Sequence, residues 1–318
     1  MNSRSSRKTV SIVTPSYNQG QFIEGCIRSI RNQDYPYIEH IIIDGGSTDE
    51  TLSIIHRYKD GFAYWVSERD RGISDAINKG FARSTGDYMW ILNSDDMLVT
   101  PGAISALVRY LADHPDVDFV CGDQYDMDKY GKVRRLVRQS EWDVFDLLLR
   151  RPTMSFTGCL ITRQAMNSIG FFSENLQYLN DFDLFLRFAL RYKMANIGQP
   201  TGYFRVYPEQ TSRRRTEASA KEKLLITEQF FQSPDLPVAV RQCERKARAM
   251  AYLVAAGLYC ENGNSKETRH CVAQAIQLDP LCLVRKWTVA YWLLSLMGDL
   301  QMVHTRTVLR RYLLGRIA

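Results

Sequence analysis

Tyr88-Met-Trp-Ile-Leu-Asn-Ser-Asp-Asp96 is the stretch that decides the fold class. An apolar run of strand length leads straight into two adjacent carboxylates, Asp95 and Asp96. Open α/β sheets take their ligands just outside the carboxyl ends of their strands. A buried strand that finishes in acids is such an end. Two neighbouring negative side chains repel one another unless a cation lies between them. A hard divalent metal carrying phosphate oxygens meets that requirement.

Working outward, the chain alternates strand and helix. Val10-Ser-Ile-Val-Thr-Pro15 reads as a short buried strand, and Phe22 to Arg31 places Phe22, Ile23, Cys26, Ile27 and Ile30 on one helix face. Ile38 to Asp44 is a second strand, turned by Gly45-Gly46. Ser47 and Glu50 have the spacing of a capping box opening a helix to Tyr58. Ala63–Ser67 is a third strand, Ser74 is placed to cap a helix to Arg83, Pro101–His114 is a helix and Val117–Cys121 a fifth strand. This order implies a mostly parallel sheet flanked by helices. Further strands are expected at Lys132–Val137, Gly158–Thr162 and Gly202–Val206, and helices at Asp143–Arg150, Arg163–Ile169 and Asp181–Tyr192. Beyond Pro234 and Pro237 the pattern is helical only. The expected organisation is a flexible N-terminus over 1–8, an α/β domain over 9–234 and a helical appendage over 235–318.

Bulk properties narrow the class. At 318 residues with 45% hydrophobic and 24% charged content, the chain can bury a real core. Its seven Cys are scattered with no Cys-x-x-Cys, which argues against a disulfide framework or zinc site and for a reducing compartment. No signal peptide or span-length apolar run is seen, so the expected location is cytoplasmic. The +6 net charge is mild and no nucleic-acid motif accompanies it, so nucleic acid is not expected as a partner. Segment 285–318 sets six Lys/Arg against one acid, among Trp287, Tyr291, Trp292, Leu293, Leu294, Leu296 and Met297. That mix suits either a helix on an anionic membrane surface or one packed on protein.

The acids fall at strand tips. Asp44 and Asp95/Asp96 close strands two and four and open on one sheet edge. Asp49 is either a helix-start residue or a ligand contact. Asp75 and Lys79 have the i,i+4 spacing of a helix-face ion pair. Neither glycine segment fits Gly-x-Gly-x-x-Gly, which counts against a nicotinamide enzyme.

Four blocks, Val13-Thr-Pro-Ser-Tyr-Asn18, Ile43-Asp-Gly-Gly-Ser-Thr-Asp-Glu-Thr51, Gly72-Ile-Ser-Asp-Ala-Ile-Asn-Lys-Gly80 and Leu92-Asn-Ser-Asp-Asp96, resemble in order those of the family 2 glycosyltransferases. The resemblance covers about 8 to 210, is greatest to the bacterial polysaccharide branch, and leaves out the C-terminal helices. It implies an inverting, metal-dependent enzyme of GT-A (Rossmann-like) fold, with Mg2+ or Mn2+. The implied donor is a nucleotide diphosphate sugar, UDP-sugar by default. The implied acceptor is a saccharide or lipid-linked saccharide in surface or exported polysaccharide synthesis, which favours inner-leaflet contact through 285–318. By the same resemblance Thr14, Pro15 and Tyr17 line the base, Asp44 holds the base edge, and Asp75 and Lys79 lie by the nucleotide. Asn93-Ser94-Asp95 takes the Asp-x-Asp position with Asn for the first Asp, leaving Asp95 as chief metal ligand and Asp96 assisting or held by a loop.

Tyr178-Leu-Asn-Asp-Phe-Asp-Leu-Phe-Leu-Arg187 resembles the family's acidic motif, with Asp181 as catalytic base and Asp183 as the alternative that caps the helix or pairs with Arg187. Gly202-Tyr-Phe-Arg-Val-Tyr-Pro resembles a segment reading Arg-x-His-Pro, with Tyr207 at the His. Arg213 or Arg214 can supply positive charge to the diphosphate instead, or belong to a solvated loop. Phe156, Phe171 and Phe172 are either sugar-stacking or core residues. Two rivals remain. A sugar-phosphate nucleotidyltransferase should carry a Gly-rich loop where this chain has Pro15-Ser-Tyr-Asn, and a non-catalytic sugar-nucleotide binder is the other.

Overall fold

The computed structural model describes residues 8–150, 152, 155–210, 216–284 and 286–296, without the side chains of 286 and 287. Segments 1–7, 211–215 and 297–318, which hold Arg213, Arg214 and most of the basic C-terminal stretch, lie outside the described residues. The chain divides into two compact units, one of Met1–Asp143 with Pro152–Pro208, the other of Val144–Arg151 with Glu209–Ala318.

The first unit is built on one nine-stranded sheet. Inside its parallel half lies β1 (Val10–Ser16), buried at every position because both neighbours and both faces are covered. β2 (Ile38–Asp44) and β4 (Tyr88–Ile91) pair with it in parallel, and β3 (Tyr64–Ser67) pairs in parallel with β2. The sheet continues from β4 through β8 (Cys159–Thr162), β6 (Phe119–Met127) and β9 (Met194–Arg205) to the two-residue β5 (Met97–Leu98), while β7 (Val133–Val137) hangs on β6. β8 is antiparallel to both β4 and β6. β6 therefore runs with the central strands, as does β9, which is parallel to β6.

Helices cover both faces. Ile12, Trp90 and Val120 of the sheet share a core with Cys26 and Ile30 of α1 (Ile23–Arg31) and Leu107 and Leu111 of α4 (Ala103–Asp113). Ile23 and Ile27 of α1 meet Ile42 of β2 and Ile54 and Ile55 of α2 (Thr51–Tyr58). Strand alternation turns Val13 to the opposite face. There it meets α3 (Ile73–Arg83), which approaches so closely at Gly80 that an added Cβ would lie 2.3 Å from Val13 Cγ1. α6 (Arg163–Ile169) and α7 (Asn180–Ala189) follow β8.

The second unit is helical: α5 (Val144–Leu149), α8 (Glu217–Gln232), α9 (Val238–Gln242), α10 (Glu244–Glu261), α11 (Ser265–Leu278) and α12 (Lys286–Ser295). Small side chains let α10 and α11 approach, with Ala255, Ala256, Cys260, Cys271 and Val272 in one core. Gly263, at φ +77°, turns the chain between them, and Asn264 caps α11 by accepting from Glu267 N–H at 3.1 Å. α12 is apolar on two sides. Tyr291 and Leu294 join the helix core, whereas Val289, Trp292, Leu293 and Leu296, at i, i+3, i+4, i+7 spacing, are exposed. No helix among the described residues is long and apolar enough to cross a membrane.

Several local readings change. α2 begins at Thr51 without a side-chain cap, because Ser47 Oγ is spent on Asp44 at 2.5 Å; Asp49 bonds Thr51 N–H instead. Ser74 lies inside α3, not at its cap, and accepts from Asn180. The late strand is far longer than Gly202–Val206, reaching back to Met194 through Gly198 and Pro200, residues that mask strand character in a sequence. α8, which precedes residue 234, belongs to the helical unit.

Gly80→Ala should lower unfolding stability by about 1–3 kcal/mol through overpacking against Val13. Urea denaturation checks this as a lower midpoint at constant slope; an unchanged midpoint would show that α3 does not press on β1 there.

Candidate active site

Because β1, β2 and β3 are parallel and in register, Ser16, Asp44 and Ser67 form one row at their C-terminal tips. Asp44 is fully buried, and its carboxylate accepts from Ser67 Oγ at 2.6 Å, Ser47 Oγ at 2.5 Å, Ser47 N–H at 2.9 Å and Gly46 N–H at 3.1 Å. Four donors to one carboxylate fix the Gly45-Gly46 loop, with Gly46 at φ +83°. Asn18 N–H donates to Ser47 Oγ at 2.7 Å and Thr48 N–H to Asn18 Oδ1 at 2.9 Å, so the loops after β1 and β2 are tied together. Tyr17, at 59% exposure, stands at the lip of this ledge. Thr14 and Pro15 are buried behind it, Thr14 Oγ1 lying 3.1 Å from His40 Nε2. Burial pushes that imidazole down to about 3, so it stays neutral.

On α3, Asp75 accepts from Arg71 N–H and its guanidinium, both at 3.0 Å, with Lys79 Nζ at 3.4 Å; Lys79 also reaches Glu68 at 2.8 Å. Burial raises the Asp75 carboxyl, but Arg71 and Lys79 overcome it and hold the group below its ordinary range. Asn180 Nδ2 donates to Ser74 Oγ at 2.7 Å, which fastens the start of α7 to the start of α3. Asp181 stands in that first turn of α7, its Oδ1 accepting from Phe182 N–H at 2.6 Å. Asp183 is committed to Arg187, which donates to it from Nε and Nη2 at 3.1 and 2.8 Å and also bonds the carbonyls of Ile169, Gly170 and Phe171. Phe156 stacks on Phe185 at 4.5 Å, Phe171 meets Phe81 at 5.7 Å and Phe172 meets Phe156 at 5.6 Å, all of them packing contacts.

The acid pair is held by a segment the sequence reading undervalued. β5 is antiparallel to β9 with Met97 opposite Tyr203 and Leu98 opposite Gly202, a register that carries Asp95 and Asp96 alongside Arg205. Arg205 N–H donates to Asp96 Oδ1 at 2.9 Å, and Thr157 Oγ1 donates to Asp96 Oδ2 at 2.8 Å. Arg205 Nε donates to the Asp95 carbonyl at 2.8 Å, Nη1 bonds the Asp128 and Lys129 carbonyls, and the guanidinium lies 4.5 Å from the Phe22 ring centroid. Tyr207, whose ring is 5.2 Å from that of Phe22, donates its hydroxyl to Asp95 Oδ2 at 2.9 Å. Burial pushes Asp95 above its ordinary range despite Tyr207 and Arg205. Burial, and then the charge of Asp95, pushes Asp96 well above it. A lone Arg among Tyr203, Phe204, Val206 and Tyr207 was the available signal: a cation in an apolar strand needs a buried partner.

Three polar atoms around these tips are buried with no hydrogen-bond partner: Ser16 Oγ, Gln19 Oε1 and Asn93 Oδ1. Ordered water, or a ligand that brings hydroxyls or N–H groups, would satisfy them. A hard cation fits at one point of this donor set. Asp95 keeps Oδ1 clear of the Tyr207 bond, whereas Asp96 is fully buried with both oxygens engaged. No group of three or more His, Cys, Asp or Glu is arranged to hold a metal among the described residues.

The model of the Glycosyl transferase family 2 matches residues 11–174. An uncharacterized glycosyltransferase of Mycobacterium tuberculosis (strain H37Rv) is 31% identical over 186 residues, covering 58% of this chain and 70% of its own. A PGL/p-HBAD biosynthesis glycosyltransferase of Mycobacterium bovis (strain BCG) is 27% identical over 182 residues, 56% of this chain and 68% of its own. Among solved structures, S. aureus TarS 1-349 in complex with UDP-GlcNAc superposes with a TM-score of 0.67 at 18% identity, over 96% of this chain and 92% of that one. The mannosyltransferase PcManGT from Pyrobaculum calidifontis, in complex with GDP-Man and Mn2+, gives 0.56 at 17% identity, over 94% and 86%.

Without metal, the folded carboxyls of Asp95 and Asp96 keep their protons to higher pH than in the unfolded chain. Stability therefore falls as pH rises from the ordinary carboxyl value through the raised one, and is flat above it. Asp96→Asn retains an acceptor for Arg205 N–H and turns its amide to the Thr157 hydroxyl while removing the charge. Melting curves in EDTA from pH 4 to 8 should show the variant with a shallower slope and a melting temperature a few degrees higher at pH 8.

Proposed function

We propose that this chain, which belongs to glycosyl transferase family 2 and is a glycosyltransferase of GT-A fold, moves a sugar with inversion from a nucleotide diphosphate sugar to a hydroxyl acceptor. The observation that carries the reading is the set of unpartnered buried atoms at Ser16, Gln19 and Asn93, gathered at strand tips beside a buried acid pair. UDP-sugar is the proposed donor, supported by the UDP-GlcNAc complex of the similarly folded TarS.

In this reading the ledge of Pro15, Tyr17 and the loop fixed by Asp44 receives the nucleotide. Asn93 accepts a ribose hydroxyl. Thr14 supports the ledge from behind through His40, and Asp75 and Lys79 border the nucleotide as an ion pair. Arg213 or Arg214, both outside the described residues, is the proposed source of further positive charge for the diphosphate. Asp95, with Asp96 behind it, would hold Mg2+ or Mn2+; when bound, that ion neutralises the leaving diphosphate. Asp181 takes the proton of the acceptor hydroxyl as its oxygen bonds the anomeric carbon. The bond from that carbon to the diphosphate oxygen breaks on the opposite face, and the nucleotide diphosphate leaves with the electron pair. Asp183 is the weaker candidate because Arg187 already occupies it. Positioning and charge supply most of the rate.

The proposed acceptor is a saccharide or lipid-linked saccharide of surface or exported polysaccharide synthesis. Inner-leaflet contact is supported by the exposed apolar residues Val289, Trp292 and Leu293 of α12 with Leu296 just after it, and by the basic composition of 285–318 in the sequence.

Asp181→Asn should cut transfer by about 10^2–10^4-fold while UDP binding, read by calorimetry, stays within a factor of about two. Loss of both together would make Asp181 part of the nucleotide site rather than the base. Sedimentation with vesicles containing phosphatidylglycerol should carry the protein down, and Trp292→Ala with Leu293→Ala should release it; equal sedimentation with neutral vesicles would remove the charge argument.

A further inference from the structure

The β6–β7 hairpin has no part in the transfer derived above, yet it is fastened beside the acid turn. β6 pairs with β8 only as far as Cys121; from Gln124 to Met127 its partner on that side is β7, whose outer edge has no strand neighbour among the described residues. Asp128 to Arg138 carries five cations, Lys129, Lys132, Arg134, Arg135 and Arg138, against one acid, Asp128. That acid is occupied within the turn, accepting from Tyr130 N–H, Lys132 N–H and Arg134. Charge of either sign deters an edge strand from pairing with another chain; a field of one sign also draws an anion. Arg205 ties the hairpin down, its Nη1 donating to the Asp128 and Lys129 carbonyls while its Nε donates to that of Asp95.

One face of the hairpin looks toward the acids. Gln124 lies opposite Gly202, where an added Cβ would come 2.5 Å from Thr157 Cγ2, and Thr157 bonds Asp96. Paired residues of neighbouring strands share a face, so Gln124, with Asp126 two residues on, is on the face from which Thr157 reaches the acid turn. Arg135 is opposite Asp126 and donates to its Oδ2 from Nε at 2.8 Å. Asp126 Oδ1 takes Gln124 Nε2 at 3.2 Å, which leaves Gln124 Oε1 buried without a partner. Gln124 and Asp126 are 5% and 7% exposed, whereas the Arg135 side chain is 72% exposed. A guanidinium gripped at Nε by a buried carboxylate and otherwise open is preorganised for the oxygens of a phosphate. Phe204, opposite Asp126 on β9 and half-buried, adds an aromatic ring beside it. We propose that this face of the hairpin recognises the acceptor and that the acceptor is an anionic saccharide, a proposal that rests on the glycosyltransferase reading above and gives its acceptor a charge. Gln124 Oε1 accepts from a sugar hydroxyl, Phe204 packs on the ring, and Arg135 binds a phosphate group on the sugar, with Lys129 and Lys132 adding charge.

Two probes on the full chain, saturated with UDP so that the nucleotide site is filled, test this by calorimetry. One is N-acetylglucosamine joined to farnesol through a diphosphate; the other is the same sugar joined to farnesol by a plain glycosidic bond. The charged probe should bind about tenfold tighter or more, and the margin should shrink as salt rises from about 0.1 to about 0.5 M. Arg135→Ala, and separately Lys129→Ala with Lys132→Ala, should bring the two probes together while UDP binding stays within a factor of about two. Lys132 is exposed and Lys129 half-buried, so the lysine pair keeps the proposal falsifiable even where Arg135→Ala does not fold. Gln124→Met should weaken both probes alike; unchanged affinity in that variant removes the sugar contact. Equal affinity of the wild type for the two probes, binding of neither, or a preference that survives both cation variants overturns the proposal and leaves the donor reading standing. A loss of UDP affinity in the cation variants assigns these residues to the donor and overturns it as well. Failure of wild-type protein to bind UDP strikes the nucleotide-sugar reading beneath it. Reduced sedimentation of the lysine variant with phosphatidylglycerol vesicles, with the probe preference unchanged, would give the hairpin to a membrane surface instead of the acceptor.

Discussion

Burial of two adjacent carboxylates is the constraint from which the rest of the first unit follows. Asp95 and Asp96 sit at the end of the most buried part of the sheet, where taking an ionised carboxyl out of water is costly. The chain offsets this with directed hydrogen bonds more than with direct ion pairs. Arg205 contributes its backbone N–H to Asp96 and its side chain to the Asp95 carbonyl, so its charge lies near the acids without capping them. Thr157 and Tyr207 add one hydroxyl each. The residual repulsion is left in place, and both carboxyls stay above their ordinary range. Such a pair favours a cation, which supports a role at a diphosphate.

The short β5 strand gains a purpose from this constraint. Two residues are too few to stabilise a strand by themselves. By pairing with β9 they set the register that brings Arg205 beside Asp95 and Asp96. The long β9 has to reach from the core beside Phe119 to this turn, so it runs twelve residues through Gly198 and Pro200. The opposite sheet half needs less invention: Asp44 takes four bonds from its own loop and the neighbouring strand, and the loops on either side then lock through Asn18 and Ser47. A ledge fixed by hydrogen bonds and a turn of buried acids thus share one edge of the sheet.

Much of this was legible in the sequence because periodicity and strand-end acids report it directly. β1, α1, β2 and β4 appear as apolar runs punctuated by Gly, Pro and Asp, and fall within one residue of the expected bounds. What was not legible depends on pairing between segments far apart in sequence. Ser47 has the spacing of a helix cap, yet Asp44 competes for its hydroxyl, and nothing local tells which wins. Ser74 likewise serves Asn180, 106 residues away. Arg205 and Thr157 become site residues only once β5, β8 and β9 are placed. The helical unit shows the converse. The helical pattern beyond Pro237 is local, so the sequence carries it.

Asn93 and Tyr207, taken singly, look like two losses from a nucleotide-sugar site. Taken together they are one adjustment. A third carboxylate at 93 would add charge to a turn whose two acids already resist ionisation, and a histidine at 207 would need either a proton, pairing with Asp95, or a metal to satisfy its nitrogen. Neutral Asn and a donating phenol let the empty site remain folded: Tyr207 satisfies Asp95 in the absence of ligand, while Asn93 keeps a buried acceptor waiting.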